Sequence, residues 1–116
     1  MVQLKFADLF YGLGTEGLAF SEACARHSGQ DVEIRGWLAR AHDASRTVML
    51  VSRDGDCPDC CKGPVAAVIL PGFRPPRRVT GAVTLRGRLS FGFAVRNGIA
   101  SHLRLERARL SGSFSP

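Results

Sequence analysis

Three of the four cysteines fall within five residues, Cys57-Pro-Asp-Cys60-Cys61. A Cys-x-x-Cys turn converges two thiolates on one tetrahedral ion, and zinc is the ion that sulfur and imidazole donors hold in that geometry. A closed site needs four ligands. Cys24-Ala-Arg-His27 offers the second pair, at i and i+3 on one helical face. The first expectation is therefore zinc bound by Cys57 and Cys60 with Cys24 and His27, Cys61 standing beside them as a further thiol. A local Cys57–Cys60 disulfide is the alternative in an oxidising compartment, whereas a reducing one favours metal or free thiols. A thiol/disulfide redox role is a third reading, since Cys-Pro-x-Cys is a pattern of thiol oxidoreductases. Those sites put the first cysteine at a helix N-terminus, where the thiolate is stabilised. Here Asp54, Asp56 and Asp59 crowd the thiols and disfavour the thiolate, and Gly63-Pro64 stops any helix that would follow.

A second chemistry is carried by charge. The net charge of +6 is split unevenly: residues 1–59 hold six basic groups against nine acidic ones, while residues 60–116 hold ten basic groups against Glu106 alone. Such asymmetry suits an anionic partner, although an arginine-rich, alanine- and glycine-rich composition also arises without one. For single-stranded nucleic acid the requirements are stacking aromatics and a basic groove. Trp37 and Phe73 are candidates for stacking, with Phe91 and Phe93 behind them; Arg35, Arg74, Arg77, Arg78, Arg86 and Arg88 are candidate phosphate partners. No Ser/His/Asp constellation, paired-carboxylate signature, P-loop or dinucleotide fingerprint is present, so the chain reads as non-enzymatic. His42 lies in a polar turn and His102 on a strand, and neither argues for catalysis.

The elements that must position these residues follow from periodicity. Residues 4–11 and 18–27 are the helical candidates, the second with Ser21 as N-cap, Gly29 after its end, and Phe20, Cys24 and His27 on one face. From residue 31 the period becomes two. Val32, Ile34, Gly36 and Leu38 alternate with Glu33, Arg35, Trp37 and Ala39 in a half-buried first strand. Residues 47–52 and 65–70 are short apolar runs bounded by turn signals. Residues 79–89 form a long strand that its glycines allow to bend, and Asn97-Gly98 turns the chain from residues 91–95 into a last strand over 99–110. Strict alternation places Val83, Leu85, Leu89, Ile69, Leu103 and Leu105 inside and Arg86, Arg88, Arg104 and Glu106 in water. Residues 71–78, with three prolines, cannot be helical.

These 116 residues fill one domain: a helical preamble over 1–30, a barrel over 31–110 and a tail over 111–116. The expected fold is mainly all-β, a small five-stranded OB-like antiparallel barrel with one or two short N-terminal helices and a proline loop where many OB-folds carry a helix. No apolar run approaches the roughly 20 residues that cross a bilayer, and no export signal opens the chain. As written it reads as soluble and cytoplasmic, or as an envelope protein whose leader has been removed.

F-x-x-L at residues 6–9, GLAFS at 17–21, GQDVEIRGWLA at 29–39, MLVSRDGDCPDCC at 49–61 and VTGAVTLRGRL at 79–89 together resemble a bacterial family catalogued as a domain of unknown function. Its members share a G-K-x-V-x-I-x-G-Y-x-x-P first strand, a second strand leading into a Cys-bearing loop, and a later V-x-V-x-G-x-L strand. The resemblance implies an OB-like fold without enzymatic activity, often in the envelope and encoded near ABC-type transporter genes, sometimes in metal-responsive settings. This chain departs from the pattern in its shorter cysteine loop and in lacking the proline after Trp37-Leu38-Ala39. The partner implied is an unidentified protein or anionic ligand.

Overall fold

A computed structural model describes residues 2–11, 19–40, 47–52, 67–76, 81–96 and 98–111. Within them the chain runs β1 (Val2–Leu4), α1 (Phe6–Leu9), β2 (Phe10–Tyr11), β3 (Ala19–Phe20), α2 (Glu22–Arg26), β4 (Asp31–Arg40), β5 (Val48–Val51), β6 (Ala67–Ile69), β7 (Val83–Arg96) and β8 (Ile99–Ser111). Strands β4 to β8 close into a five-stranded barrel in the order β4-β5-β6-β8-β7, with β7 pairing back onto β4. The OB-like barrel expected from the sequence is thus the architecture found.

One junction differs from the antiparallel expectation. Ile69 of β6 pairs in parallel with Arg104 of β8. Barrel strands that alternate in direction leave the first, third and fifth running the same way, so an order that sets the third beside the fifth must make that pair parallel. The described part of the proline segment is non-helical, as expected: residues 71–72 form a turn, with Gly72 at φ 70° and the Phe73 N–H donating to the Leu70 carbonyl at 3.2 Å, and residues 73–76 are irregular.

The preamble is less helical than its apolar spacing suggests. Residues 2–4 form β1, which pairs in parallel with Val32–Ile34, and α1 keeps a single turn. The reason lies in β4. Its partner β5 reaches residues 37–40, and on that side the backbone of Val32–Ile34 would otherwise lack a strand to bond with; β1 supplies it. Ser21 does stand at the N-cap of α2, but its hydroxyl donates to the Asp8 carbonyl instead of capping the helix, which ties α2 to α1. Gly29, at φ 85°, then turns the chain so that its N–H reaches the Leu89 carbonyl at 2.7 Å.

The core joins Val32, Ile34, Leu50, Val68, Leu85 and Leu105 of the barrel to Phe6, Leu9, Phe10 and Cys24 of the preamble, which plugs one end. Gly36 makes that plug fit, because a Cβ there would lie 2.6 Å from the Val51 carbonyl oxygen and 2.9 Å from the Phe6 ring. In and just after β6 the inward residues are Val68 and Leu70, while Ile69 is half-buried, one residue out of phase with the expectation. A continuous apolar run does not encode which parity faces inward; the pairing of Leu50 with Val68 decides it.

Arg104 also corrects the expectation of a water-facing side chain. It is 2% exposed, and its guanidinium donates to the Ser101 carbonyl at 2.8 Å, the Ser101 hydroxyl at 3.1 Å and the Ser90 hydroxyl at 2.9 Å. It belongs to a shielded row on the outside of the barrel. Met49 pairs with Ile69, Ile69 with Arg104 and Arg104 with Ser90. Met49 and Val51 are likewise 4% and 0% exposed, yet neither belongs to the core cluster. The outward surface of β5, β6 and mid-β8 is therefore covered.

Candidate anion-binding face

With that surface covered, the outward residues of β4, β7 and the end of β8 make up an open one. Along β4 they are Asp31, Glu33, Arg35 and Trp37; across the register stand Thr84, Arg86 and Arg88 of β7, then Ser111 and Arg109 of β8. Two concavities lie on this face. The larger, about 580 Å³, is lined by Trp37, Arg35, Glu33 and Thr84 together with Lys5, Phe6 and Asp8 of α1 and its entrance, so that among the described residues its two cations face two carboxylates. The smaller, about 240 Å³, is lined by Arg86, Arg88, Arg107 and Arg109 around Gly87, with Asp31 its one carboxylate among the described residues.

Glu33 and Arg86 divide the two. Their side chains pair at 3.0 Å, and Glu33 also accepts from the Ser111 hydroxyl at 2.8 Å and the Gln3 amide at 3.2 Å. The Ser111 hydrogen bond, and after it the Arg86 guanidinium, hold the Glu33 carboxyl below the ordinary carboxylate range. Glu33 is thus a charged, satisfied post within the sheet and not a free acid.

The arginine cluster is made by a bulge. Arg86 pairs with Arg109 and Arg88 with Glu106, so β8 fits one residue more than β7 between these pairs. Leu103 and Leu105 face inward before the bulge, and Ala108 and Leu110 pack against the core after it. Glu106 and Arg107 consequently fall consecutively on the outer side, and Arg107 takes a left-handed backbone at φ 54°. Gly87 is needed opposite, where a Cβ would meet the Glu106 carbonyl oxygen at 2.7 Å.

The residues singled out from the sequence are distributed as follows. Trp37 and Arg35 share the larger concavity, and Arg86 and Arg88 the smaller. Phe73 instead packs half-buried against the core, Arg74 is exposed at the proline turn, and Arg77 and Arg78 lie outside the described residues. Phe91 closes an aromatic cluster, edge-on to Phe20 at 5.3 Å, while Phe93 is exposed. Arg107 and Arg109 were not anticipated: their alternation in RLERARL was visible, but the bulge that gathers them was not.

Cys57, Cys60 and Cys61 lie outside the described residues, as does His42. Cys24 is fully buried, its thiol donating to the Leu9 carbonyl at 3.1 Å, and burial pushes its pKa up, which opposes the thiolate a metal requires. The His27 ring is half-buried at the end of α2, with Nδ1 3.0 Å from the Gln30 side-chain oxygen. No group of three or more His, Cys, Asp or Glu side chains is placed to hold a metal among the described residues, and no helix among them is long and apolar enough to cross a membrane.

No family model matches the sequence, and no curated protein matches it. A crystal structure of a DUF3299-family protein from Pseudomonas aeruginosa PAO1 is similar in fold, with a TM-score of 0.59, 10% identity, and 97% of each chain covered. That neighbour comes from a family whose function is unknown by its own designation, and at this identity the likeness is one of fold.

Proposed function

We propose that this chain is a non-enzymatic binding module that takes single-stranded nucleic acid across the outward face of β4, β7 and β8. The observation that carries the reading is the succession, on one uncovered sheet face, of a Trp37/Arg35 concavity and a four-arginine concavity. Single strands are held by base stacking on aromatic rings and by a basic groove for the backbone; the half-buried Trp37 ring and the arginine concavity support the reading. From Trp37 to Asp31 the strand spans about 20 Å at roughly 3.3 Å per residue, room for a short run of nucleotides. The surface that OB-folds commonly use, on their second and third strands, corresponds to β5 and β6 and is shielded by the Met49 and Arg104 row.

Fluorescence anisotropy of short labelled single strands tests this. Affinity is expected to fall with salt, with a slope of about −3 in log K against log salt if four phosphates are neutralised at roughly 0.7 each. Trp37→Ala should remove about 1 to 3 kcal/mol per stacked base. An unchanged signal at low salt, where non-specific attraction is strongest, would overturn the reading.

A further inference from the structure

We propose that the β7–β8 bulge is a discrete site for a phosphate-class oxyanion, formed by Arg86, Arg88, Arg107 and Arg109. The inference deepens the reading above and rests on the same open face, but it identifies a compact pocket with its own ligand chemistry. Two observations converge on it. Four guanidinium groups line a cavity of about 240 Å³ with Asp31 as the one carboxylate among its described lining residues, and once Glu33 beside Arg86 and Glu106 in register with Arg88 are counted, the surroundings keep one positive charge in excess. Arg86 and Arg109 are direct cross-strand partners, an arrangement in which like charges destabilise a sheet; Glu33 relieves part of that repulsion through Arg86, and an anion between the two arginines would relieve more of it.

The backbone supplies a further reason. Residue 107 occupies the left-handed region at φ 54°, a conformation in which glycine is at ease and a side chain is strained. The chain places an arginine there, on the outer side, where its guanidinium joins the other three. Planar guanidinium forks match the oxygens of phosphate in paired hydrogen bonds.

Isothermal titration calorimetry and amide NMR with inorganic pyrophosphate test the site directly, with inorganic phosphate as the smaller probe. Saturable binding is expected, with shifts confined to residues 86–88 and 106–109. Arg107→Gly suits the left-handed backbone and removes an exposed side chain, so it should weaken pyrophosphate about tenfold without lowering the melting temperature. Asp31→Asn should tighten binding, a gain that a purely structural role for Asp31 would not give. The source of the anion is read from strands with and without a 5′-phosphate: tighter binding of the phosphorylated strand, abolished by Arg107→Gly, assigns the pocket to a strand end, and equal binding of the two assigns it to a free anion. Pyrophosphate binding without any binding of strands upholds the pocket and refutes the nucleic-acid reading. Strand binding that Trp37→Ala weakens while Arg107→Gly leaves pyrophosphate and strand affinity unchanged refutes the pocket and upholds that reading.

Discussion

Replacing Gly87 by alanine tests the bulge on which the arginine face depends. The added methyl would sit 2.7 Å from the Glu106 carbonyl oxygen, 3.0 Å from Leu105 Cγ and 3.2 Å from Ala108 Cα. Two of these three atoms are backbone, so relief requires β8 itself to move by several tenths of an ångström at a closely packed point. Over-packing of this kind costs about 1 to 3 kcal/mol, and about 0.5 kcal/mol or more returns because alanine in a strand loses less chain entropy than glycine. A net loss of about 1 to 2 kcal/mol corresponds, in a domain of this size, to a melting temperature lower by about 4 to 8 °C. Thermal scanning with urea titration measures it, the dependence on urea staying unchanged if the denatured state is unaffected. Pyrophosphate affinity should fall in the same variant, because a displaced β8 carries Arg107 and Arg109 away from Arg86 and Arg88. A Gly87→Ala protein that melts within about 1 °C of the parent would refute the close crossing of β7 over the bulge, and with it the register that turns Arg107 outward.

Arg104→Ala should destabilise by about 2 to 4 kcal/mol, since it leaves the Ser90 and Ser101 groups unpaired and a void beside Met49 and Ile69, whereas the exposed Arg109→Ala should stay within about 0.5 kcal/mol; equal urea midpoints for the two would contradict the shielded row. Glu33 has a depressed pKa in the folded state, so its contribution is fully present above the ordinary carboxylate pKa and is lost as pH falls through the lower folded value. The gap in melting temperature between the parent and Glu33→Gln should therefore be open at pH 7 and close as acidification takes the pH below the ordinary carboxylate range, and a gap that widens on acidification would contradict the assigned partners. Cys24, buried and bonded to Leu9, should react with a thiol reagent only on unfolding, and Cys24→Ser should leave metal content unchanged. Zinc held by the loop thiols should be present at about one equivalent and be lost in Cys57→Ser or Cys60→Ser; elemental analysis of chelator-free protein showing no zinc ends that expectation.

The barrel was legible because its long strands carry the period of two without ambiguity. Val32, Ile34, Val83, Leu85 and Leu89 are buried where alternation puts them, and Gly98, at φ 79°, turns the last hairpin where Asn97-Gly98 said it would. The proline segment likewise announced its lack of helix through residue type alone. Where local sequence admits two answers, tertiary pairing chose. Residues 67–70 are apolar in every position, so only contact with Leu50 selects Val68 over Ile69 for the interior. Residues 4–11 carry a spacing compatible with a helix, but only one turn of it forms, and the unpartnered stretch of β4 draws residues 2–4 into a strand. Arg104 sits in a strand position that reads as solvent-facing, and the shielded row on the outside of the barrel makes it a buried residue. The arginine face was half legible: Trp37, Arg35, Arg86 and Arg88 stood out by type and alternation. Arg107 and Arg109 joined them only through one extra residue in β8, because a bulge changes the parity of everything after it and depends on two strands being laid side by side, which no single stretch of sequence contains.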